Sequence, residues 1–450
     1  MMIKPGIPKG TRDFGPVIVR KRNYIFQTIR ETFEVFGFQP LETPAMENLS
    51  TLTGKYGEEG DKLIFRILDN GEIFDRAKEA KDNKELVNAI TEKALRYDLT
   101  IPFARYVVMN QHELALPFKR YQMQPVWRGD RPAKGRYREF YQCDADVVGS
   151  NSLLNEVELL LIYDTVFTKL GMQGYELRIN NRKILAALAE LVGKPELLTD
   201  ITISIDKLDK IGMAGVEKEL LERGLTADDI RIIENFLNIK GDNQSVLEQL
   251  RTLLANSPVG MKGIEELDFV LHSGYTTYNT TPILDLTLAR GLNYYTGLIV
   301  EVKAPATVKM GSIGGGGRYD DLTGLFGLPG LSGVGISFGV DRIYDVLEEL
   351  NLFPETAQQS TRVLFLNLGE ASAKKAFGYV MQLRKQGVAA ELYHESSKMD
   401  KQMKHADKRS IPFVAILGES ELAENCISIK DLKNGKQEKI NGDELLTYSF

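Results

Sequence analysis

Cysteine is nearly absent from this chain: two occur in 450 residues, Cys143 and Cys426. That is too few for a disulfide framework or a cysteine-type zinc site. Histidine is also scarce. His112, His272, His394 and His405 are scattered without metal-ligand spacing, so no histidine-built metal centre is expected. No apolar run approaches the roughly 20 residues that a membrane-spanning helix needs, which excludes a membrane partner of that kind. Met1 to Arg12 is polar and has no apolar signal core, so a cytoplasmic rather than secreted protein is expected. Positive charge is in deficit: 56 Lys and Arg face 62 Asp and Glu, a net charge of −6. A protein that coats nucleic acid through bulk charge is thereby excluded, but local basic patches are not.

What is present is globular. Hydrophobic residues make up 43% and charged residues 26%, and this length predicts two or three domains. Residues 17–38 read as a helix, with Ile25, Ile29, Phe33 and Phe36 on one face and Gly37 helping to end it. An extended segment from Gln39 to Thr43 follows, closed by Pro44. Residues 84–111 read as helical with a break at Pro102. Arg120–Arg128 and Arg138–Val148 alternate as two strands of a hairpin, and residues 152–170 form another helix. Residues 183–257 are Leu- and Glu-rich, and resemble a helical insertion. Strand signals return at Ile283–Leu288 and Gly297–Val302. Gly333–Gly339 leads into a helix at Val340–Leu350. A polar tract with Pro354 reads as a linker. Beyond it, strands at Val363–Leu368, Ala389–Tyr393 and Phe413–Leu417 alternate with helices at Ala371–Gln386 and Lys398–Arg409, as in a small α/β domain. No internal repeat is visible.

Four segments carry chemistry. The hairpin loop places Arg128, Arg131, Lys134, Arg136 and Arg138 within eleven residues, offset in part by Asp130 and Glu139. Guanidinium groups bind phosphate in a fork, so the loop suits a nucleotide or an RNA end, although composition alone favours a solvated loop. The run Gly311 to Asp320 has neither dinucleotide nor Walker spacing. Its glycines either let a flat ligand lie against backbone or make a hinge. Arg290 to Gly297 sets an arginine beside Tyr294 and Tyr295, which suits an anion together with a polar ligand, or a core tyrosine pair. In Gly333 to Arg342 a cation enters the first turn of a helix, where the dipole does not favour it. That predicts an anionic partner for Arg342, either an acidic side chain or a phosphate.

The order of these segments resembles the three signature motifs of class II aminoacyl-tRNA synthetases. The first helix with Pro44 is similar to motif 1, Phe140, Tyr141 and the arginine hairpin to motif 2, and Gly335–Arg342 to motif 3. Along nearly the whole chain the details resemble the histidyl-tRNA synthetase family. The segments that carry this are Lys9-Gly-Thr-Arg-Asp-Phe14, Leu95-Arg-Tyr-Asp-Leu-Thr-Ile-Pro102, Tyr141-Gln-Cys-Asp-Ala-Asp146, Arg290-Gly-Leu-Asn-Tyr-Tyr295 and Gly315-Gly-Gly-Arg-Tyr-Asp320. Asn293 stands where that family usually has an acidic residue, which leaves the local hydrogen bonding open.

The resemblance implies an α/β (α+β) fold. A class II antiparallel-sheet catalytic domain would span 1–182 and 271–350, split by a helical insertion at 183–270. A linker at 351–361 would lead to a mixed α/β anticodon-binding domain at 362–450. It implies activation of L-histidine with ATP, Mg2+ accompanying the nucleotide, and transfer to tRNA(His). Arg128 and Arg290 are then assigned to the α-phosphate, with Asp130 and Arg136 at the same nucleotide and Arg342 at the γ-phosphate. Asp98, Thr100, Gln142, Asp146, Tyr294 and Tyr295 are assigned to histidine, and no metal ligands are named. A homodimer is expected, with the 17–38 helix and the strand ending at Pro44 at its two-fold interface. Lys398, Lys401, Lys404 and Lys408 recur at helical spacing and suit RNA phosphates or a solvated face. Two rivals stand beside this reading. One is a non-catalytic synthetase-like regulatory subunit of histidine biosynthesis, which would lack the C-terminal domain and the Arg-Gly-Leu-x-Tyr-Tyr segment. The other is a class II synthetase for threonine, proline or glycine.

Overall fold

The computed structural model describes residues 4–56, 60–71, 73–272, 274, 278–289, 294–357 and 361–450. Among them no helix is long and apolar enough to cross a membrane. Two compact units are present, one comprising Met1–Phe14 with Arg22–Leu352, the other Gly15–Lys21 with Phe353–Phe450.

The first unit is built on an eight-stranded sheet. In chain order its strands are β1 (Gln39–Pro40), β5 (Phe118–Trp127), β6 (Glu139–Val148), β7 (Glu176–Asn181), β8 (Ile283–Leu284), β9 (Leu298–Lys303), β10 (Gly314–Tyr319) and β11 (Gly333–Gly339). Their order across the sheet is β1-β5-β6-β11-β10-β9-β7-β8. Pairing is antiparallel except at the two edges, where β1 and β8 run parallel to their neighbours. Short strands β2 (Met46–Asn48), β3 (Arg66–Ile67) and β4 (Lys93–Leu95) form a separate three-stranded sheet, with short helices α2 (Leu49–Leu52) and α3 (Phe74–Lys78) in its connections.

Alternation divides the large sheet into two faces. Tyr121, Cys143, Ala145, Val147, Ile336 and Phe338 point to one, which helices cover. Here α1 (Pro16–Val35) brings Ile25, Ile29 and Phe33, all buried. Phe33 packs its ring 5.5 Å from Tyr121 and 5.8 Å from Phe338. The first helix therefore spends its apolar stripe inside its own chain. The large apolar residues that α1 and β2 leave exposed are Val17, Val19, Val35 and Met46, of which Val35 is 79% and Met46 55% exposed. The helix also stops at Val35 instead of Phe38. Gly37 takes φ +79°, and the Phe38 N–H returns to the Phe33 carbonyl, a C-terminal cap that only glycine adopts without strain.

Other boundaries shift for local reasons. The stretch read as one helix over 84–111 is α4 (Asn83–Ala89), then β4, then α5 (Thr100–Met109). Pro102 sits in the first turn of α5, where its missing N–H costs nothing, and does not break a helix. Gln39–Thr43 and Ile283–Leu288 shorten to two paired residues each. Helix α6 (Leu154–Lys169) packs on the apolar face. From Arg182 to His272 the chain is helical: α7 (Arg182–Leu191), α8 (Leu198–Ile205), α9 (Leu208–Glu222), α10 (Ala227–Leu237), α11 (Asn243–Leu253) and α12 (Pro258–His272). These cluster with the large sheet in the first unit. Helix α13 (Val340–Glu349) follows β11 directly.

The second unit has a five-stranded sheet of order β13-β12-β14-β15-β16. Strands β12 (Val363–Phe365), β13 (Ala390–Leu392) and β14 (Phe413–Ile416) are parallel. Helices α14 (Glu370–Lys385) and α15 (Met399–Lys408) connect them. An antiparallel pair, β15 (Cys426–Asp431) and β16 (Gln437–Asn441), completes the sheet and had no counterpart in the sequence reading. Lys398, Lys401, Lys404 and Lys408 are all exposed on or just before α15.

Candidate active site

The second face of the large sheet is polar. Register places Arg120, Gln122 and Gln124 of β5 opposite Asp146, Asp144 and Gln142 of β6. These in turn face Gly335, Ser337 and Gly339 of β11, and β11 carries Gly315 and Gly317 of β10 beside it. The glycine run is thus a central strand paired on both sides, which removes the hinge alternative. Missing side chains are used on both of these strands. A Cβ at Gly335 would lie 1.9 Å from the Asp146 carboxylate, and one at Gly317 would lie 2.9 Å from the Tyr295 ring. Only glycine permits those approaches.

Over this face lies a cavity of about 420 Å3. Arg128, Asp130, Arg136, Gln142, Tyr295 and Arg342 all line it, together with Gly315 and Ser337. The structure thus brings together the basic hairpin, the glycine strand and the start of α13. Arg128 stacks over the Tyr97 ring at 4.3 Å and the Phe140 ring at 5.2 Å. Its Nε donates to the Tyr97 carbonyl at 3.0 Å. Stacking and the hydrogen bond fix the plane of the fork. Arg136 is half exposed and lies 3.6 Å from Asp130. Arg342 donates to the carbonyls of Gly135 at 2.8 Å and Ser312 at 2.6 Å, which ties the hairpin loop to the turn before β10. Its neighbour Asp341 is held by other cations. That carboxylate pairs with Arg12 and Arg22 and accepts the Tyr141 N–H at 3.2 Å.

Behind Tyr295 the remaining sequence-predicted residues meet. Asp98, just ahead of α5, accepts from the Tyr56 hydroxyl at 2.9 Å and the Ile101 N–H at 3.2 Å, both at Oδ1. Its Oδ2 is buried without a hydrogen-bond partner among the described residues. Burial pushes this carboxyl above the usual range, while the Tyr56 bond and the Arg128 charge pull it back. Thr100 hydrogen-bonds the Tyr294 phenol, and the Tyr294 and Tyr295 rings meet edge to face at 5.0 Å. Asp146 accepts from the Tyr319 hydroxyl at 2.6 Å and pairs with Arg120 at 2.9 Å. Gln142 donates to the Ser337 hydroxyl at 2.9 Å and keeps a buried Oε1 with no hydrogen-bond partner among the described residues. Arg290 and Asn293 lie outside the described residues.

Several site residues escaped the sequence reading. Tyr97 is the platform for Arg128, and Arg120 is the cation beneath Asp146. Asp144 is a third buried carboxylate, raised to about 7 chiefly by burial. The signal existed: polar residues at every second position of both strands mark a polar buried face. Arg96, fully buried, donates to the carbonyls of Thr43 and Pro125 at 2.6 and 2.9 Å, so it fastens the Pro44 segment to β5. Arg12 stacks 3.2 Å from the Tyr137 ring centre, so Lys9–Phe14 braces the hairpin loop. Arg318, by contrast, points to the helix face and pairs with Glu156; in its motif it is an anchor. Among the described residues no group of three or more His, Cys, Asp or Glu side chains is placed to hold a metal ion.

Comparison with known proteins agrees along the whole chain. The family model for histidyl-tRNA synthetase matches residues 82–343, and that for the anticodon-binding domain matches residues 362–448. A histidine–tRNA ligase of Christiangramia forsetii is 56% identical, with 98% of each chain covered. One of Bacteroides fragilis is 54% identical over 99% of each. The crystal structure of histidyl-tRNA synthetase from a Nostoc species superposes with a TM-score of 0.83 at 31% identity, covering 99% of this chain and 98% of the other. With the polar sheet face, the arginine-lined cavity and a matching C-terminal unit all in one sequence, the chain belongs to the histidyl-tRNA synthetase family.

Proposed function

We infer that the protein activates L-histidine with ATP, giving histidyl-adenylate and pyrophosphate, and then transfers histidine to the 3′ end of tRNA(His). The observation that carries this is the joining of an arginine-lined cavity to a buried, carboxylate-rich recess through Tyr295. In activation, a histidine carboxylate oxygen bonds to the α-phosphorus while the bond to pyrophosphate breaks. In transfer, a ribose hydroxyl of the RNA attacks the histidyl carbonyl and AMP leaves. Neither step needs an enzyme nucleophile, so positioning and charge stabilisation carry the catalysis.

The roles follow from placement. Arg128, held flat on Tyr97, is assigned to the α-phosphate together with Arg290. Arg342 is assigned to the γ-phosphate, and Asp130 and Arg136 to the nucleotide at the loop. Asp98, with a buried oxygen that has no hydrogen-bond partner among the described residues, suits the substrate ammonium, and Gln142 and Thr100 lie at hand to orient it. Tyr295 and Asp146 are assigned to the imidazole, whose two nitrogens need two polar partners. A pocket that pairs both nitrogens rejects apolar isosteres, because its own groups would be left unpaired. Of the carboxylates that line the cavity, Asp341 pairs with Arg12 and Arg22 and Asp130 with Arg136, and Glu301 lines it as well. We assign Mg2+ to the phosphates of ATP.

The domain reading pairs a split catalytic part, residues 1–182 and 271–350, with an insertion at 183–270, a linker at 351–361 and an anticodon-binding part at 362–450. A homodimer in the cytoplasm completes the reading, its interface using outward residues such as Val35 and Met46. Sedimentation showing only monomer at micromolar concentration would remove the dimer. Pyrophosphate exchange with each amino acid in turn tests the activity. Histidine alone should support it; exchange with threonine, proline or glycine, or with none, would overturn the assignment.

A further inference from the structure

Three carboxylates, Asp98, Asp144 and Asp146, are buried in the recess. The cation buried among them is Arg120, which pairs with Asp146 at 2.9 Å. On the reading above, the substrate ammonium answers Asp98 and the nucleotide phosphate answers Arg128. Asp144 then makes no ion pair of its own among the described residues; the positive charge it senses most is that of Arg120, which is paired with Asp146. It projects from the same sheet face as Gln142 and Asp146, and stands opposite Gln122 and Ser337. The Ser337 hydroxyl hydrogen-bonds its carboxylate, while its Oδ1 has no hydrogen-bond partner among the described residues. A buried carboxylate with an open oxygen and no cation of its own is costly unless it takes a proton or meets a positive ligand.

We propose that Asp144 is a specificity-determining residue, placed under the histidine site to select the imidazolium form of the substrate side chain. With Asp98 answered by the ammonium and Asp146 by Arg120, an imidazolium supplies the positive charge that the described residues of the recess lack. Neutral amides and apolar rings cannot supply it. Proton bookkeeping fits. Burial, Asp146 and Asp98 raise the Asp144 carboxyl to about 7, against the pull of Arg120 and Ser337. Its proton affinity therefore matches that of an imidazole, ordinarily about 6.5. The other titratable groups that sense this charge are the phenols of Tyr163 and Tyr295 and the Cys143 thiol, all held neutral by burial. When histidine enters near neutral pH, the O–H bond on Asp144 is given up and an N–H bond on the ring is gained, with no net proton uptake.

The proposal rests on the recess being the histidine site, and the experiment separates the two ideas. Ring-15N-labelled histidine is bound to the full chain without ATP, and its 15N spectrum is read at pH 8, where free histidine is neutral. The wild type should show an imidazolium; Asp144→Asn should show a neutral ring. Above pH 7 the free carboxylate and neutral histidine must take up a proton to bind. The wild-type histidine KM in pyrophosphate exchange should therefore rise about tenfold per pH unit, whereas that of Asp144→Asn should change less than twofold from pH 7 to 8.5. A neutral bound ring in the wild type, or equal pH slopes in both proteins, overturns the proposal and leaves the histidine site standing. Failure of histidine to bind or exchange at all overturns the site itself. If Asp144→Asn does not fold, the wild-type spectrum alone decides.

Discussion

The two faces of the large sheet use the same residue types to opposite ends. Arg318 and Arg120 are both buried arginines. Arg318, on the helix face, meets Glu156 at 2.8 Å, the Ser332 hydroxyl and the carbonyls of Ser150 and Ser152. Arg120, on the site face, pairs with Asp146 and stacks on Phe103 at 4.3 Å, but its Nε and Nη1 have no hydrogen-bond partner among the described residues. Tyr163 on the helix face donates to the Gly315 and Ser337 carbonyls through the sheet, while Asp98, Asp144 and Gln142 on the site face keep open acceptors. A structural face satisfies its buried polar atoms from within; a working face leaves them for what binds. Damage to the first should appear as lost stability, and damage to the second as lost chemistry.

The sharpest break of that contrast is Arg318→Ala. It strands the buried Glu156 carboxylate, and removing one partner of such a pair costs about 3–5 kcal/mol. The variant should lose most of its thermal stability, while the fraction that stays folded keeps its histidine KM. Replacing both partners, Arg318→Met with Glu156→Leu, should recover much of the loss. A variant with wild-type melting and no exchange would move Arg318 to the site.

On the other face, Arg128→Ala should melt like the wild type and lose about a hundredfold or more in kcat of pyrophosphate exchange, the scale of one lost oxyanion donor. KM should move little. Arg290→Ala should behave the same way, since the family resemblance gives it the same phosphate. Lysine at either position should fall short of rescue, because a point charge does not reproduce the fork. A folded Arg290→Ala protein with near-normal exchange would end that assignment.

Asp98→Asn probes the open oxygen more gently. It keeps the shape and removes the charge assigned to the ammonium. A charge-assisted hydrogen bond is worth roughly 1.5–3 kcal/mol, so histidine should bind about ten- to a hundredfold more weakly, with the KM for ATP unchanged. An unaltered histidine KM would take Asp98 out of the recess.

Much of this was legible in the sequence, and the reasons for the gaps are physical. Long periodic elements were read correctly: the β5–β6 hairpin, α6, and the strand-to-helix passage at Val340. Short pairings were overextended at Gln39 and Ile283, because an edge strand ends where its neighbour stops offering hydrogen bonds, and that depends on tertiary structure. Motif reading found the residues that line the cavity but not those beneath them. Tyr97 and Arg120 matter through what they touch, and contact across sheet and loop has no local signature. Asp144 had one, polar at every second residue, but its motif drew attention to Gln142 and Asp146. Arg318 shows the opposite failing: its segment marks the site, yet its side chain turns to the other face.

The smallest predicted effect tests whether burial sets the size of the contrast. In the second unit, Glu391 pairs with Arg409 and accepts from the Thr361 hydroxyl, but about a third of each charged side chain is exposed. The Arg409 hydrogen bond, foremost, holds the Glu391 carboxyl at about 2. Water screens such a pair, so Glu391→Gln should cost only about 0.5–1 kcal/mol at pH 7, far less than Arg318→Ala. Because the folded pKa is depressed, the stabilisation is present above the unfolded value of about 4.3 and is lost as pH falls toward 2. The difference in urea midpoint between wild type and variant should therefore be alike at pH 7 and pH 5 and shrink by about half near pH 3. It should also shrink in molar salt, where the screening length drops to about 3 Å. A loss as large as that of Arg318→Ala, or one indifferent to both acid and salt, would show that exposure is not what separates the two ion pairs.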